Sequence, residues 1–585
     1  MPTLNWIGKE KVVNHHRDVP YRVLEHKYGF TAENGEQPEP TGSGNKIIHG
    51  DNLEALKSLL PEHEGKIDVV YIDPPYNTGK EKWVYTDNVN HPKIEKWLDQ
   101  VVGKEGDDLS RHDKWLCMMY PRVKLLHKLL KDDGIFYCSI DDYEHGNLKP
   151  MLDEIFGPQN FLNNVVWQRA YAPINTKKRF SPNHDFVIAY AKKKSKVELK
   201  LPRSEDADSK YQNVDNDPRG LWRTDNFTVG PRVEANVYEI ITPSGRKCLP
   251  PSGRSWLLSK ERFEEAVKDN RIWFGKDGSN VPATKRFMSE VKDGITPMTV
   301  WPYVEVGHTQ DAKREIKELF PKSKLPFETP KPTTLMEKIL SLRNDPNAVV
   351  LDSFAGTAST GHAILKLNKK DGGNRKFILV ELEDYAEEIT ATRIKKASSG
   401  YEFTGKKKET VKAYSVNATN LKKADKILQE LEELKNDESY SKVAIESING
   451  EITITAEKQV SGKTEGLGGA FDFYELGSPL FDENQNLNEE VGLPKIREYI
   501  WFSETRTSFT EPNAENYFLG KKEDSVYYFI YEKDRLTTLD YDALELIKTK
   551  GEQYIIYADN CLLPADFMAK HNIIFKKIPR DITRF

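Results

Sequence analysis

From Lys46 onward, short apolar runs alternate with stretches whose apolar residues recur at helical spacing. KIIHGDNLEALKSLL reads as a strand, a Gly50-Asp51 turn and a helix, and KIDVVYIDPP reads as a second, buried strand. KWLCMMYPRVKLLHKLLKDDG predicts a helix that stops at Gly134; IFYCSID and FVIAYAK, the latter near Phe186, then predict further strands. Between about Lys200 and Phe320 the alternation gives way to Gly, Pro, Trp and basic residues, as in TPSGRKCLPPSGRSW. It then resumes: TTLMEKILSLR predicts a helix, AVVLDSFAG a strand into a tight turn, GHAILKLNK a helix and KFILVELED a strand. The simplest closure is an α/β fold in which both blocks share one mostly parallel sheet, with ligands at the strands' carboxyl ends.

The flanks are read by the same rules. Residues 1–45 lack clear periodicity and end in EPTGSGN, so they are expected to form a loosely packed extension, with ordered structure beginning at Lys46. ADKILQELEELKNDESY predicts a charged connecting helix. After it, SVYYFIYEK, LDYDALELIKTKG, QYIIYADN, PADFMAKHN and IIFKKIP predict strand, helix, strand, helix and strand. The expected division is an extension (1–45), two core segments (46–199 and 321–420) around an insertion (200–320), and a smaller C-terminal α/β domain (421–585). The tail from Leu421 is expected to serve assembly and to be separable from ligand binding.

Length sharpens the domain expectation: 585 residues exceed what one core supports, so about two to four domains follow. No apolar run approaches the roughly 18 residues of a membrane span, and no secretory signal opens the sequence. The four cysteines (Cys117, Cys138, Cys248, Cys561) are widely spaced and form no CxxC pair. Reduced thiols in a cytoplasmic protein without a zinc site or disulfide framework are the expectation. The net charge of −5 conceals an uneven distribution. Phe161 to Val300 carries 25 Lys plus Arg against 17 Asp plus Glu, and Leu421 to Phe585 carries 21 against 31. The middle suits a polyanion, and the tail suits a protein partner or solubility.

Two strand ends carry candidate chemistry. In LDSFAGTASTG a strand runs into small residues ahead of a helix, an arrangement that lets backbone amides approach a ligand; the absence of Lys-Ser or Lys-Thr after the glycines argues against a P-loop. The next strand ends in Glu381, placed to accept from ribose hydroxyls. In VVYIDPPYNTGKE the prolines fix φ and remove donors, leaving the Pro74 carbonyl available as an acceptor. An exocyclic amine of an aromatic base presents two N–H groups. Asp73 is suited to accept one and the Pro74 carbonyl the other while the nitrogen attacks an electrophilic methyl, with Tyr76 against the base. A strand terminated by a proline turn is the plainer reading of the same four residues.

Taken together, these residues resemble amino-group DNA methyltransferases that use S-adenosylmethionine. Asp73-Pro74-Pro75-Tyr76 resembles their catalytic motif and Phe354-Ala355-Gly356 their cofactor motif, in the order of the β group. HGDNLEALKSL, YIDPPYNTG, TPKPTTLMEKIL, LDSFAGTASTGHA and the final FKKIPRDITRF are similar to the modification subunit of Type III restriction-modification systems. The resemblance covers Lys46 to Lys396 and, less closely, the tail. It implies a Rossmann-like methyltransferase sheet with an inserted target-recognition domain, and N6 methylation of a flipped adenine in double-stranded DNA. An aspartate in the tetrapeptide accompanies adenine in this family. A homodimer, a helicase-nuclease restriction partner and no metal are further implications.

By matching position the resemblance assigns Asp51, Asn52, Lys331, Pro332, Thr333, Asp352, Phe354, Ala355, Gly356, Thr357 and Glu381 to the cofactor pocket; Asp141 is a further candidate acid. Arg219, Arg223, Arg246, Lys247, Arg254, Lys285 and Arg286, interleaved with Trp222, Trp256 and Trp273, are candidates for DNA contacts. His308 is expected to cap a helix. One departure stands out: Ala358 replaces a glycine of the family's turn, so either that turn keeps a negative φ or cofactor affinity falls. Methylation of RNA or of a protein glutamine, and a DNA-binding assembly role, are the competing readings. No helicase motif or paired-acid nuclease signature is present in this sequence.

Overall fold

The structure is a computed structural model that describes residues 3–582, except 78–110, 174–175, 204–207, 292–293, 322–329, 416–423, 438, 441, 449–450, 483, 485, 489 and 513–515. Residues 78–81 of the NTGKE stretch and residue 329 of TPKP therefore lie outside the described residues. The chain forms two compact units: residues 1–198, 298–340 and 345–585 make the first, and Leu199–Pro297 with Ser341–Asn344 the second.

The first unit is built on an eleven-stranded sheet. In chain order its elements are β1 (Arg22–Thr31), β2 (Gly35–Gln37), β3 (Lys46–His49), α1 (Asn52–His63), β4 (Ile67–Ile72), α2 (Arg111–Leu129), β5 (Leu130–Ile140), α3 (Asp142–Phe156), β6 (Phe161–Gln168), β7 (His184–Ala191) and β8 (Val300–Trp301). These are followed by α4 (Thr309–Leu319), α5 (Thr333–Ser341), β9 (Val349–Asp352), α6 (Ser359–Asp371), β10 (Lys376–Glu381), α7 (Thr392–Ser399) and β11 (Ala470–Pro479). The spatial order is β8-β6-β7-β5-β4-β9-β10-β3-β11-β1-β2. From β5 through β11 the neighbours run parallel, whereas β7 is antiparallel to both β5 and β6. The central strands are buried on both faces, which is why β4, β9 and β10 read as continuous apolar runs.

Three expectations are corrected. Ordered structure begins well before Lys46: β1 pairs along β11, and Trp6, Val12, Val19 and Tyr21 are buried in the main core. The tail from Leu421 is not separable from the sheet, because β11 pairs in parallel with β3, Phe473 opposite Ile47. The helix expected to reach Gly134 ends at Leu129, and Leu130–Gly134 extends β5 instead. Farther along, a four-stranded sheet (Phe518–Lys522, Ser525–Phe529, Gln553–Ala558, Ile573–Lys577) follows the strand-helix alternation read from the tail. No helix among the described residues is long and apolar enough to cross a membrane.

The second unit holds a three-stranded sheet (Trp222–Asn226, Ala283–Phe287, Ile272–Trp273), two short strand pairs and a helix at Lys260–Lys268. Its core packs Phe227, Ile240, Trp256, Phe263 and Phe274.

Candidate functional site

The parallel run β4-β9-β10-β3 places four carboxyl ends side by side, and most of the candidate residues sit there. Asp73 follows β4 directly, Asp352 ends β9, Glu381 ends β10, and Asp51 follows β3.

At the β4 tip, Lys331 Nζ donates to Asp73 Oδ2 at 2.5 Å, a pairing across 258 positions of sequence. Asp73 Oδ1 is buried and, apart from Tyr76, no described residue donates to it. Trp115 Nε1, itself wholly buried, donates to the Pro75 carbonyl at 2.7 Å, which fixes the chain just beyond Pro74. Asn77 is held in the left-handed region (φ 57) and donates to the Arg111 carbonyl at 3.1 Å and to the buried Glu144. His112 Nδ1 and Asn147 Nδ2 also contact that carboxylate, at 2.7 and 2.8 Å. The loop is thus clamped on both sides, while neither clamp takes Asp73 Oδ1. Lys331 Nζ lies 5.0 Å from the centre of the Tyr76 ring and 5.9 Å from that of the Trp167 ring. Burial, followed by the charge of Asp73, pushes the Tyr76 hydroxyl well above its ordinary range.

At the β9 tip, Asp352 accepts from the Thr360 hydroxyl at 2.6 Å and from the Phe354 amide at 3.1 Å. Burial pushes its carboxyl up to about 7. Ser353 Oγ is buried without a partner among the described residues. Gly356 turns with φ 50 and donates its amide to Glu381 Oε2 at 2.7 Å, while the Glu383 amide donates to Glu381 Oε1 at 3.0 Å. Burial pushes Glu381 up to about 7 as well. Glu381 therefore holds the turn through the Gly356 amide and its own strand end through the Glu383 amide, a role beyond the ribose contact read from its position. Ala358 adopts φ 60 and ψ 36, so the turn keeps the left-handed geometry of a glycine with an alanine in place.

Asp51 and Asn52 occupy the neighbouring tip. Asp51 caps α1 by accepting from the Leu53 amide at 2.7 Å, and Asn52 donates to the Ser353 carbonyl at 2.9 Å. Arg122, buried, donates to Asn52 at 2.5 Å and pairs with Asp51 at 3.3 Å. Thr333 accepts from Lys366 Nζ at 2.6 Å and donates to Glu315 at 2.8 Å, while the Lys331 carbonyl accepts from Ser359 Oγ at 2.7 Å. Pro332 is buried between them. Asp141 lies at the carboxyl end of β5, where it caps α3 through the Tyr143 amide at 2.9 Å. His308 caps α4, as expected, in a reciprocal capping box with Asp311.

Sequence reasoning missed Arg393, which is fully buried on α7 and donates to the Thr357 carbonyl (3.1 Å), Thr357 Oγ1 (2.9 Å), Ser359 Oγ (3.0 Å), Glu315 (3.1 Å) and His362 Nδ1 (3.3 Å). It also missed Trp115, Arg122, Asn77 and Ser353. Only Asn77, directly after the tetrapeptide, and Ser353, between Asp352 and Phe354, had a local signal.

In the second unit Lys285 is corrected: it is buried and paired with Asp215 and Asp217, so it has no access to a phosphate. Arg219 is tied to Asp217 at 2.8 Å and Asp269 at 3.1 Å. Arg223 lies against the Tyr211 ring, Lys247 pairs with Glu239 and Arg286 with Asp225, and Arg246 donates to the Ser279 carbonyl. Arg254 is exposed.

A profile of the family described as DNA methylase matches residues 67–392. The Mod subunit of the Type III restriction-modification enzyme StyLTI from Salmonella typhimurium is 34% identical over 395 residues, 65% of this chain and 58% of that protein. The EcoP15I Mod subunit of Escherichia coli is 28% identical over 431 residues, covering 65% and 64%. The Type II methyltransferase M.KpnI of Klebsiella pneumoniae is 32% identical over 378 residues, covering 60% and 84%. The matched region thus spans 58 to 64% of the length of the two Mod relatives. Among solved structures, the M1.HpyAVI–SAM complex is 17% identical with a TM-score of 0.28, covering 60% of this chain and 98% of that one.

Proposed function

From a chain that belongs to the DNA methylase family, its match spanning more than half of the sequence, we propose a DNA adenine N6-methyltransferase that uses S-adenosylmethionine and acts on a flipped base. The observation that carries this reading is the pair of acceptors at the β4 tip. Apart from Tyr76, no described residue donates to Asp73 Oδ1, and none donates to the Pro74 carbonyl, while Lys331 and Trp115 fix their neighbours. Such a pair matches the two N–H groups of an exocyclic amine.

The residues at the adjacent tips fit the cofactor chemically. Ser353 Oγ is a buried hydroxyl without a described partner, and Asp352 and Glu381 add carboxylates suited to ammonium and hydroxyl groups. Asp51, Asn52, Asp352, Ser353, Phe354 to Thr357 and Glu381 would hold it. When bound, S-adenosylmethionine supplies an electrophilic methyl group on a sulfonium. Asp73 and the Pro74 carbonyl orient the amine so that its lone pair faces that methyl, and Asp73 Oδ1 stands where the proton released from N6 departs. Tyr76 lies against the base; stacking of this kind is worth about 1–3 kcal/mol, an offset to the few kcal/mol of unstacking. Lys331 keeps the Asp73 carboxylate in place.

Similarity to the Mod proteins supports a modification subunit of a Type III system, with a homodimer and a helicase-nuclease restriction subunit as its assembly. The test is transfer of labelled methyl from S-adenosylmethionine to bacterial genomic DNA, to RNA and to total protein, followed by digestion to nucleosides and amino acids. Label in N6-methyldeoxyadenosine is expected; label in RNA or glutamine alone would refute the reading.

A further inference from the structure

The loop from β6 to β7, Arg169 to Asn183, lies at the same edge of the sheet as the Asp73 tip. Register fixes this: Ile72 pairs with Cys138, Ile140 with Phe186 and Trp167 with Asp185, so β6 leaves the sheet and β7 enters it where β4 ends. At a strand spacing of about 4.8 Å, β7 is roughly 10 Å from β4. Fifteen residues join two antiparallel neighbours that a short hairpin would connect, the described ones form no helix or strand, and a connection of that length is uncommon in a compact domain.

Its base is rigid. The Arg169 and Ala170 amides donate to the Asn183 carbonyl at 2.9 and 3.2 Å, Arg169 pairs with Asp185 at 2.8 Å, and the Thr309 amide donates to the Arg169 carbonyl at 3.1 Å. Tyr171 rests its ring 5.6 Å from His308 and 6.1 Å from Tyr303. Beyond that base the chain runs Lys177-Lys178-Arg179-Phe180, all exposed. Phe180 is 91% exposed, and the three cations form no ion pair with the described residues. A phenylalanine in water next to three unpaired positive charges suits no core, but it suits a duplex, whose phosphates take the cations and whose stack takes the ring.

We propose that the β6–β7 loop is the strand-opening element of this protein: Lys177, Lys178 and Arg179 engage phosphates, and Phe180 enters the DNA stack at the position vacated by the extruded adenine. This rests on the methyltransferase reading above. Phe180 is a positioning residue that lowers the cost of extrusion while Asp73 acts on the base.

The methylated site is first found by sequencing DNA from cells expressing the protein, and duplexes carrying it are then made with thymine or an abasic site opposite the target adenine. Phe180→Ala should slow methylation of the paired duplex by roughly tenfold to a hundredfold, the worth of one stacking contact. It should regain near wild-type rate on the abasic duplex, where extrusion is already cheap, and Phe180→Trp should keep activity on both. Equal rates on the paired duplex, or an equal loss on both duplexes, would overturn the proposal. Replacing Lys177, Lys178 and Arg179 together by alanine should reduce the slope of log affinity against log salt by about 2.7. An unchanged slope would also overturn it. This binding arm needs no methyl transfer, so it judges the loop even if the methyltransferase reading fails.

Discussion

Replacing Arg393 by methionine keeps most of the side chain's volume and removes every donor. Five hydrogen bonds vanish, to Thr357 (two), Ser359, Glu315 and His362. Breaking a buried ion pair by deleting one partner costs about 3–5 kcal/mol. Two details place this site at the lower end. Glu315 still accepts from the Thr333 amide and hydroxyl, and the Ser359 hydroxyl still donates to the Lys331 carbonyl. About 3 kcal/mol of local stability is therefore lost, roughly a hundredfold in the opening equilibrium of the turn. Amide hydrogen exchange followed by mass spectrometry reads this directly in peptides covering Asp352 to Gly361. Exchange should speed by about that factor in Arg393→Met while peptides of the second unit are unchanged, and S-adenosylmethionine binding should weaken in parallel. Exchange within threefold of the parent would refute the view that Arg393 holds the turn.

Three further outcomes follow from the same geometry. Ala358 is buried at φ 60, so Ala358→Val, which puts a branched side chain in the left-handed region, should cost about 2–4 kcal/mol in urea unfolding of the first unit, whereas Ala358→Gly should stay within about 1 kcal/mol. Asp352 is raised from its ordinary value to about 7, so the folded chain binds a proton that the unfolded chain lacks between roughly pH 4 and 7. Stability from this group is full below that window and lost as pH rises through it; Asp352→Asn should flatten the fall between about pH 4 and 7 in thermal unfolding, and an unchanged profile would contradict the assignment. Lys285→Ala leaves Asp217 with Arg219 and Asp215 with the Trp222 indole, so it removes one charged donor from each acid without stranding either and should destabilise the second unit by about 2 kcal/mol, while Arg254→Ala leaves its unfolding midpoint unchanged.

What the sequence revealed follows from what local patterns encode. Strands buried on both faces announce themselves as apolar runs, so β4, β9 and β10 and the turns at their ends were legible, and with them Asp73, Asp352 and Glu381. β1 was not, because an outer strand that alternates partly exposed residues such as Glu25 and Lys27 resembles a loop. β11 was invisible as a partner of β3, since that pairing joins residues more than 400 positions apart. The same distance problem hid the clamps: nothing around Lys331 announces that it pairs with Asp73, and Arg393 sits in a helix whose sequence resembles a solvated one. Lys285 misled in the opposite direction, because a basic residue among tryptophans reads the same whether it faces solvent or two buried aspartates. Ala358 was legible as an exception, and its φ of 60 rules out the negative-φ alternative.

The central claim is that Asp73 and the Pro74 carbonyl receive an adenine amine. Its most direct test is sequencing that detects N6-methyladenine in DNA from cells expressing either the parent chain or Asp73→Ala. Methylation confined to one sequence context in the parent, absent in Asp73→Ala although that variant still binds S-adenosylmethionine, is the predicted result. No motif-specific methylation by the parent, or equal methylation by the variant, would contradict it.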